Sequence, residues 1–113
     1  MVTTTYIPEK GDIVWLNFSP QTGHEQQGKR PAVVLTPYEY NKKTGLALFC
    51  PITTKQKGYP FEVLIDTGIV IGVVLSDQIK SLDWSQRNIQ FIEKASNHEL
   101  NEILNKISLL LDT

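Results

Sequence analysis

Over the first 92 positions, apolar residues recur either at every second place or in short unbroken runs, with turn residues between the runs. A period of two matches side chains alternating across a strand, and a short unbroken run matches a strand covered on both faces. Asp12 to Phe18 reads as the first strand, opened by Gly11 and closed by Ser19-Pro20. Pro31 to Thr36 is the second, and Leu46 to Ile52 the third, entered through a turn at Lys43-Thr44-Gly45. Phe61 to Ile65 alternates and gives a fourth. Val70 to Leu75 is expected to run on through Ser76 to Leu82, with Asp77 and Gln78 inside the strand, and Asn88 to Ile92 completes the set. A helical turn is expected at Tyr38 to Lys43. Short strands closely spaced by turn signals predict a small barrel or curled sheet.

The pattern changes at the C-terminus. Ser96-Asn97-His98-Glu99 sets a hydroxyl at an N-cap and a carboxylate three residues on, the arrangement of a capping box. Leu100, Ile103, Leu104, Ile107, Leu110 and Leu111 then repeat at helical spacing and form one apolar face. The prediction is a mainly β chain with a C-terminal helix. It forms a single domain, with a barrel over about residues 9–94 and the helix over about 97–111. The helix face is expected to pack on the barrel and, in part, to meet a second subunit. Between the first two strands, Ser19 to Lys29 has two glycines, three glutamines and a proline but no large apolar residue. A polar loop of that length on so small a domain reads as a flexible flap beside a site.

A chain of 113 residues, 41% hydrophobic and 20% charged, suits one domain with a real core and excludes disorder as the default. No apolar run approaches the roughly 20 residues of a membrane span. The first residues, Met1-Val2-Thr3-Thr4-Thr5, lack the basic and then apolar regions of a secretory signal. Cys50 is the single cysteine, so no internal disulfide is available and a reducing cytoplasm is the expected location. The net charge of −1 argues weakly against nucleic acid as a partner, but the distribution of charge points the other way. Between residues 26 and 61 six basic side chains (Lys29, Arg30, Lys42, Lys43, Lys55 and Lys57) face Glu39 alone. A concentrated basic surface attracts a polyanion whatever the total charge.

Chemistry concentrates in three loop stretches beside strands: Glu25-Gln26-Gln27-Gly28-Lys29-Arg30-Pro31, Pro51-Ile52-Thr53-Thr54 and Lys57-Gly58-Tyr59-Pro60-Phe61-Glu62. They supply a carboxylate, a guanidinium and a hydroxyl, a set able to hold and cleave a phosphodiester without metal. No His, Cys and carboxylate cluster has metal-ligand spacing, and no glycine loop of the phosphate-binding type occurs. No cofactor is expected. His24 is a possible acid–base helper, whereas His98, in a helix first turn, reads as structural. Trp15 and Trp84 are assigned to the core or to a subunit interface, and Phe61 to the core.

These stretches, together with Gly11-Asp12-Ile13-Val14-Trp15 and Leu75-Ser76-Asp77-Gln78-Ile79-Lys80-Ser81, resemble the MazF/PemK (Kid) toxins of bacterial toxin–antitoxin pairs over essentially the whole chain. The resemblance implies an SH3-like small β-barrel, the MazF/CcdB-like toxin fold, and a homodimer. It implies metal-independent endoribonuclease activity at short sequences in single-stranded RNA, and inhibition by a cognate MazE-like antitoxin whose acidic tail lies across the RNA groove. In that frame Arg30 stabilises the phosphorane, Glu25 is the base for the 2′-hydroxyl, and Thr53 donates to a non-bridging oxygen. Thr54 is the more structural member of its pair. Lys29, Lys55 and Lys57 bind flanking phosphates, Tyr59 offers a stacking face, and Gln78 supports the site or reads a base edge. Two other readings stay open. One is a non-enzymatic gyrase poison like the CcdB toxins, although their Trp-Gly-Ile ending is replaced here by Leu110-Leu111-Asp112-Thr113. The other is a passive SH3-like RNA-binding module.

Overall fold

The structure, a computed structural model, describes residues 6–18 and 29–112. Glu25, His24 and most of the Ser19–Lys29 segment lie outside the described residues. Among the described residues seven strands run in chain order: β1 (Asp12–Asn17), β2 (Lys29–Val34), β3 (Ala47–Thr53), β4 (Glu62–Asp66), β5 (Ile71–Leu75), β6 (Lys80–Leu82) and β7 (Gln90–Lys94). Helix α1 (Tyr38–Thr44) joins β2 to β3, and α2 (Asn97–Leu111) ends the chain. The strands form one antiparallel sheet in the order β4-β5-β3-β2-β1-β7, with β6 also paired to β3. The mainly β architecture with a terminal helix, and its small-barrel character, are as the hydrophobic pattern predicts.

The central strands β1, β2 and β3 are buried on both faces and separate two cores. On one face Ile13, Val33, Cys50, Ile52, Val63, Ile65 and Val74 pack together and are closed over by Ile103, Leu100, Leu104 and Ile107 of α2. On the other, Val14, Leu16, Ala32, Val34, Ala47 and Phe49 pack with Leu82 and Trp84. Trp84, in a 3-10 turn over Trp84–Gln86, donates its indole N–H to the Asn41 carbonyl at 3.2 Å. Asn41 is fully buried, and its amide donates to the Pro8 and Thr36 carbonyls. Its side-chain oxygen accepts the Thr36 hydroxyl at 2.6 Å. Every polar atom of that buried side chain is thereby used, as a low-dielectric interior demands.

The terminal helix begins as its sequence predicts. Ser96 Oγ accepts the Glu99 N–H, and the Glu99 carboxylate accepts the Ser96 N–H. The second Glu99 oxygen accepts the Asp66 N–H at 3.0 Å, so the cap also ties the helix to the end of β4. At the other end of the sheet, Asp12 is buried beneath Tyr6, whose hydroxyl donates to it, and Lys94 Nζ lies 2.9 Å from Asp12 Oδ1 as an ion pair without an aligned hydrogen bond. Burial, then the bond to Asp12, pushes the Tyr6 phenol well above its ordinary range.

One expectation is corrected and another is narrowed. The run from Val70 is not one strand: β5 stops at Leu75, residues 76–79 turn, and β6 resumes at Lys80. Asp77 and Gln78 are therefore exposed turn residues rather than strand interior. Trp84 is core as expected; Trp15, assigned to the core or a subunit interface, is 40% exposed, which excludes the core and leaves the interface reading standing.

Candidate nucleic-acid interface

The site is created where two neighbouring strands part. β2 and β3 are paired at Val34–Phe49, Val33–Cys50 and Ala32–Pro51, and there the pairing stops. Beyond it Ile52 and Thr53 pair instead with Val74 and Val73 of β5. Continuing the register by two residues sets Arg30 across from Thr53, so both side chains stand at the mouth of the fork. Prolines mark it on each strand, Pro31 and Pro51, and neither has an N–H to extend a ladder. Gly72 of β5 lets the switched strand approach closely: a methyl group there would lie 2.5 Å from the Thr53 carbonyl oxygen.

Two cavities open from this fork. One, of about 340 Å³, is lined by Arg30, Thr53, Lys55, Lys57, Tyr59 and Gln78, together with Phe61, Glu62, Leu75 and Asp77. The second, of about 500 Å³, shares Arg30, Thr53 and Lys55 and adds Trp15, Lys29, Pro31 and Ile71 among its walls. The structure thus brings together seven of the eight sequence-predicted site residues: Arg30, Thr53, Lys29, Lys55, Lys57, Tyr59 and Gln78. Glu25, the eighth, lies outside the described residues. Lys29 stands in the second cavity only, where its ammonium donates to Gln90 Oε1 at 3.3 Å.

Electrostatics favour an anion at the junction. Arg30 is exposed and, among the described residues, forms no ion pair. Its planar fork is free to grip two oxygens of one phosphate. Thr53 Oγ accepts the Lys55 N–H at 3.1 Å, which fixes the hydroxyl while leaving its proton to donate outward. Thr54, expected to be the more structural of the two threonines, is exposed on the wall of the second cavity instead.

Glu62 has a structural part that the motif alone does not reveal. Its carboxylate accepts the N–H groups of Lys57 and Gly58 at 3.1 and 3.0 Å, and its own N–H donates to the Tyr59 carbonyl. Gly58 meets this turn with φ of +81°, a left-handed conformation that favours glycine. Lys106 of α2 donates to the Pro60 carbonyl at 2.7 Å, and the Tyr59 and Phe61 rings stack 5.4 Å apart at 30°. The Lys57–Phe61 loop is thereby held as a rigid wall. A glycine followed four residues later by a carboxylate is the signal for it in the sequence. Phe61, expected in the core, is half-buried and lines the cavity behind Tyr59. Behind the same wall, burial and secondarily the charge of Asp77 push the Cys50 thiol up to about 12.

Comparison with known proteins finds relatives over nearly the whole chain. Residues 9–111 match the family described as PemK-like, MazF-like toxin of type II toxin-antitoxin system. The chain is 44% identical over 110 residues to the endoribonuclease toxin MazF of Escherichia coli K12, covering 97% of this chain and 99% of that one. It superposes on MazF from Deinococcus radiodurans with a TM-score of 0.86 and 48% identity, over 96% of this chain and all of the other. A MazE–MazF crystal structure from the same organism gives 0.85 and 43%, over 96% and 99%. The chain belongs to the PemK-like, MazF-like toxin family of type II toxin–antitoxin systems.

Proposed function

We propose that this protein is an endoribonuclease toxin that cleaves single-stranded RNA at the Arg30–Thr53 fork, without a metal or other cofactor. The 2′-hydroxyl of the substrate attacks the adjacent phosphorus, and the bond to the 5′-oxygen breaks. A 2′,3′-cyclic phosphate and a 5′-hydroxyl result. Glu25 takes the 2′-proton, and the departing 5′-oxygen takes up a proton from water. The guanidinium of Arg30 neutralises charge that grows on the phosphorane, and the Thr53 hydroxyl donates to a non-bridging oxygen. Lys57 on one side, Lys29 on the other and Lys55 between them hold flanking phosphates without choosing sequence. Tyr59 and Gln78 line the arm in which a neighbouring base lies.

The observation that carries this reading is the guanidinium of Arg30, free of ion pairs among the described residues, facing a backbone-fixed hydroxyl at the junction of two lysine-lined cavities. It is supported by relatives named endoribonucleases at up to 44% identity over nearly the whole chain. A gyrase poison or a passive binding module has no need for that pairing. The MazE–MazF complexes of the Deinococcus relative support a MazE-like antitoxin as the neutralising partner, and the basic lining suits an acidic segment. The working form is a homodimer, for which the exposed Leu109, Leu110 and Leu111 of α2 offer apolar contact surface. Among the described residues no helix is long and apolar enough to cross a membrane, and an mRNA substrate sets the cytoplasm as the place of action.

The test is incubation of purified protein with a long single-stranded RNA in excess EDTA. Cleavage by the wild type and intact RNA with Arg30→Ala, folded by circular dichroism, are expected. RNA that is retarded but uncut, or cleavage that needs magnesium, contradicts the proposal.

A further inference from the structure

Trp15 lies on β1 between Val14 and Leu16, both fully buried, yet 40% of its own surface is open to solvent. Its cross-strand neighbours are Pro31 on β2 and Gln90 on β7. Both give it a fixed setting: Pro31 is a rigid residue at the fork, and Gln90 is held by the Lys29 ammonium. Helix α2 closes the same sheet face over Ile13 and Val33 but does not reach this end of it. The indole therefore borders the second cavity, whose wall, among the described residues, carries the cations Lys29, Arg30 and Lys55 and no carboxylate. A tryptophan with a large open surface, set among cations, is the combination by which proteins hold unpaired nucleic acid strands: the aromatic face takes a base, and the cations track the backbone.

The two cavities share Arg30, Thr53 and Lys55 but differ in their aromatic walls, Tyr59 in one and Trp15 in the other. A strand whose phosphate rests at the shared residues sends one neighbouring nucleotide into each. We propose that Trp15 is the stacking platform for the base on the side of the scissile phosphate opposite Tyr59. The inference rests on the ribonuclease reading above and assigns that site a second arm. Trp15 is here a substrate-positioning residue that takes no part in proton transfer.

The experiment uses full-length protein and a short RNA spanning a cut site mapped from the cleavage products, made uncleavable by a 2′-deoxyribose at the scissile nucleotide. Trp84 is buried with its N–H bonded, so under excitation selective for tryptophan, which leaves Tyr59 silent, the change in fluorescence on titration reports Trp15. Quenching is expected in the wild type and absent in Trp15→Phe. Trp15→Ala should weaken binding by roughly 5- to 150-fold, the usual range for loss of one stacked base, and Trp15→Phe by less. An abasic nucleotide at one flanking position should reproduce the loss and add nothing to it in Trp15→Ala. Each variant should melt within a few degrees of the wild type.

Unchanged binding by Trp15→Ala, or losses from the abasic position and Trp15→Ala that simply add, would overturn the stacking role while leaving the ribonuclease reading intact. So would a change in oligomeric state in Trp15→Ala with RNA binding preserved, which would make Trp15 a subunit contact. A wild-type protein that cuts no RNA would overturn both proposals.

Discussion

Gly72→Ala isolates the strand switch that forms the site, because it adds one methyl group at the contact between β5 and β3. That methyl carbon would sit 2.5 Å from the Thr53 carbonyl oxygen, 3.2 Å from its carbonyl carbon and 3.3 Å from Ile52 Cγ2. Normal separation of a carbon and an oxygen not bonded to each other is about 3.3 Å or more, so Thr53 must retreat by roughly 0.8 Å. The obstacle is backbone, held in a ladder by the Thr53–Val73 and Ile52–Val74 pairs. Overpacking of this kind costs about 1–3 kcal/mol. For a domain of this size that reads as a melting temperature lower by about 4–12 °C. The functional loss should be comparable in free energy to the stability loss. A displacement near 1 Å of a group that grips the reacting phosphate costs on the order of 100-fold in rate. The assay pairs thermal melting with single-turnover cleavage of a fluorescent RNA, well below the melting temperature, for wild type, Gly72→Ala, Thr53→Val and the double variant. Gly72→Ala should be at least tenfold slower, and the double variant no slower than Thr53→Val alone. Wild-type melting and wild-type rate in Gly72→Ala would refute the view that this glycine sets the position of Thr53.

Glu62→Ala should free the Lys57 and Gly58 amides and loosen the Tyr59 wall. RNA affinity should fall about tenfold with little change in single-turnover rate at saturation, since the reacting groups stay in place; a pure loss of rate would contradict this. Ser96→Ala removes the hydroxyl half of the capping box and should lower stability by about 1 kcal/mol in urea unfolding, with cleavage unchanged. Stability should decline as pH rises above about 9. Cys50, at about 12 in the folded chain, stays protonated there while the unfolded thiol ionises, and the raised Tyr6 and Lys94 groups act with the same sign at still higher pH. In Cys50→Ala the slope of unfolding free energy against pH between about 9 and 11 should be shallower by up to about one proton; an unchanged slope would refute the burial-driven shift.

The strands and the terminal helix were legible because their periods are unambiguous: the capping box and apolar face of α2 and the alternation in β4 each point one way. Trp15 was not, because the central strands are buried on both faces. Where each neighbour is apolar, period two no longer says which end of the strand emerges from under α2. Asp77 and Gln78 were obscured because the apolar run of β5 is followed within five residues by another short strand, Lys80–Leu82, and only the turn at residues 76–79 separates them. The convergence of Arg30 and Thr53 depends on a partner exchange by β3, a long-range event. The local sequence marks it only by two prolines and by Gly72. Glu62 was visible as part of a motif, but its role in receiving backbone amides is set by the path of the loop, which residue types alone do not give.

The most direct measurement is a crystal structure of the protein with an uncleavable RNA carrying 2′-deoxyribose at the scissile nucleotide. The scissile phosphate is expected within about 3 Å of both the Arg30 guanidinium and the Thr53 hydroxyl, the distance of a hydrogen bond. An RNA strand bound across another surface, with Arg30 and Thr53 both still facing solvent, would contradict the assignment of the fork as the place of cleavage.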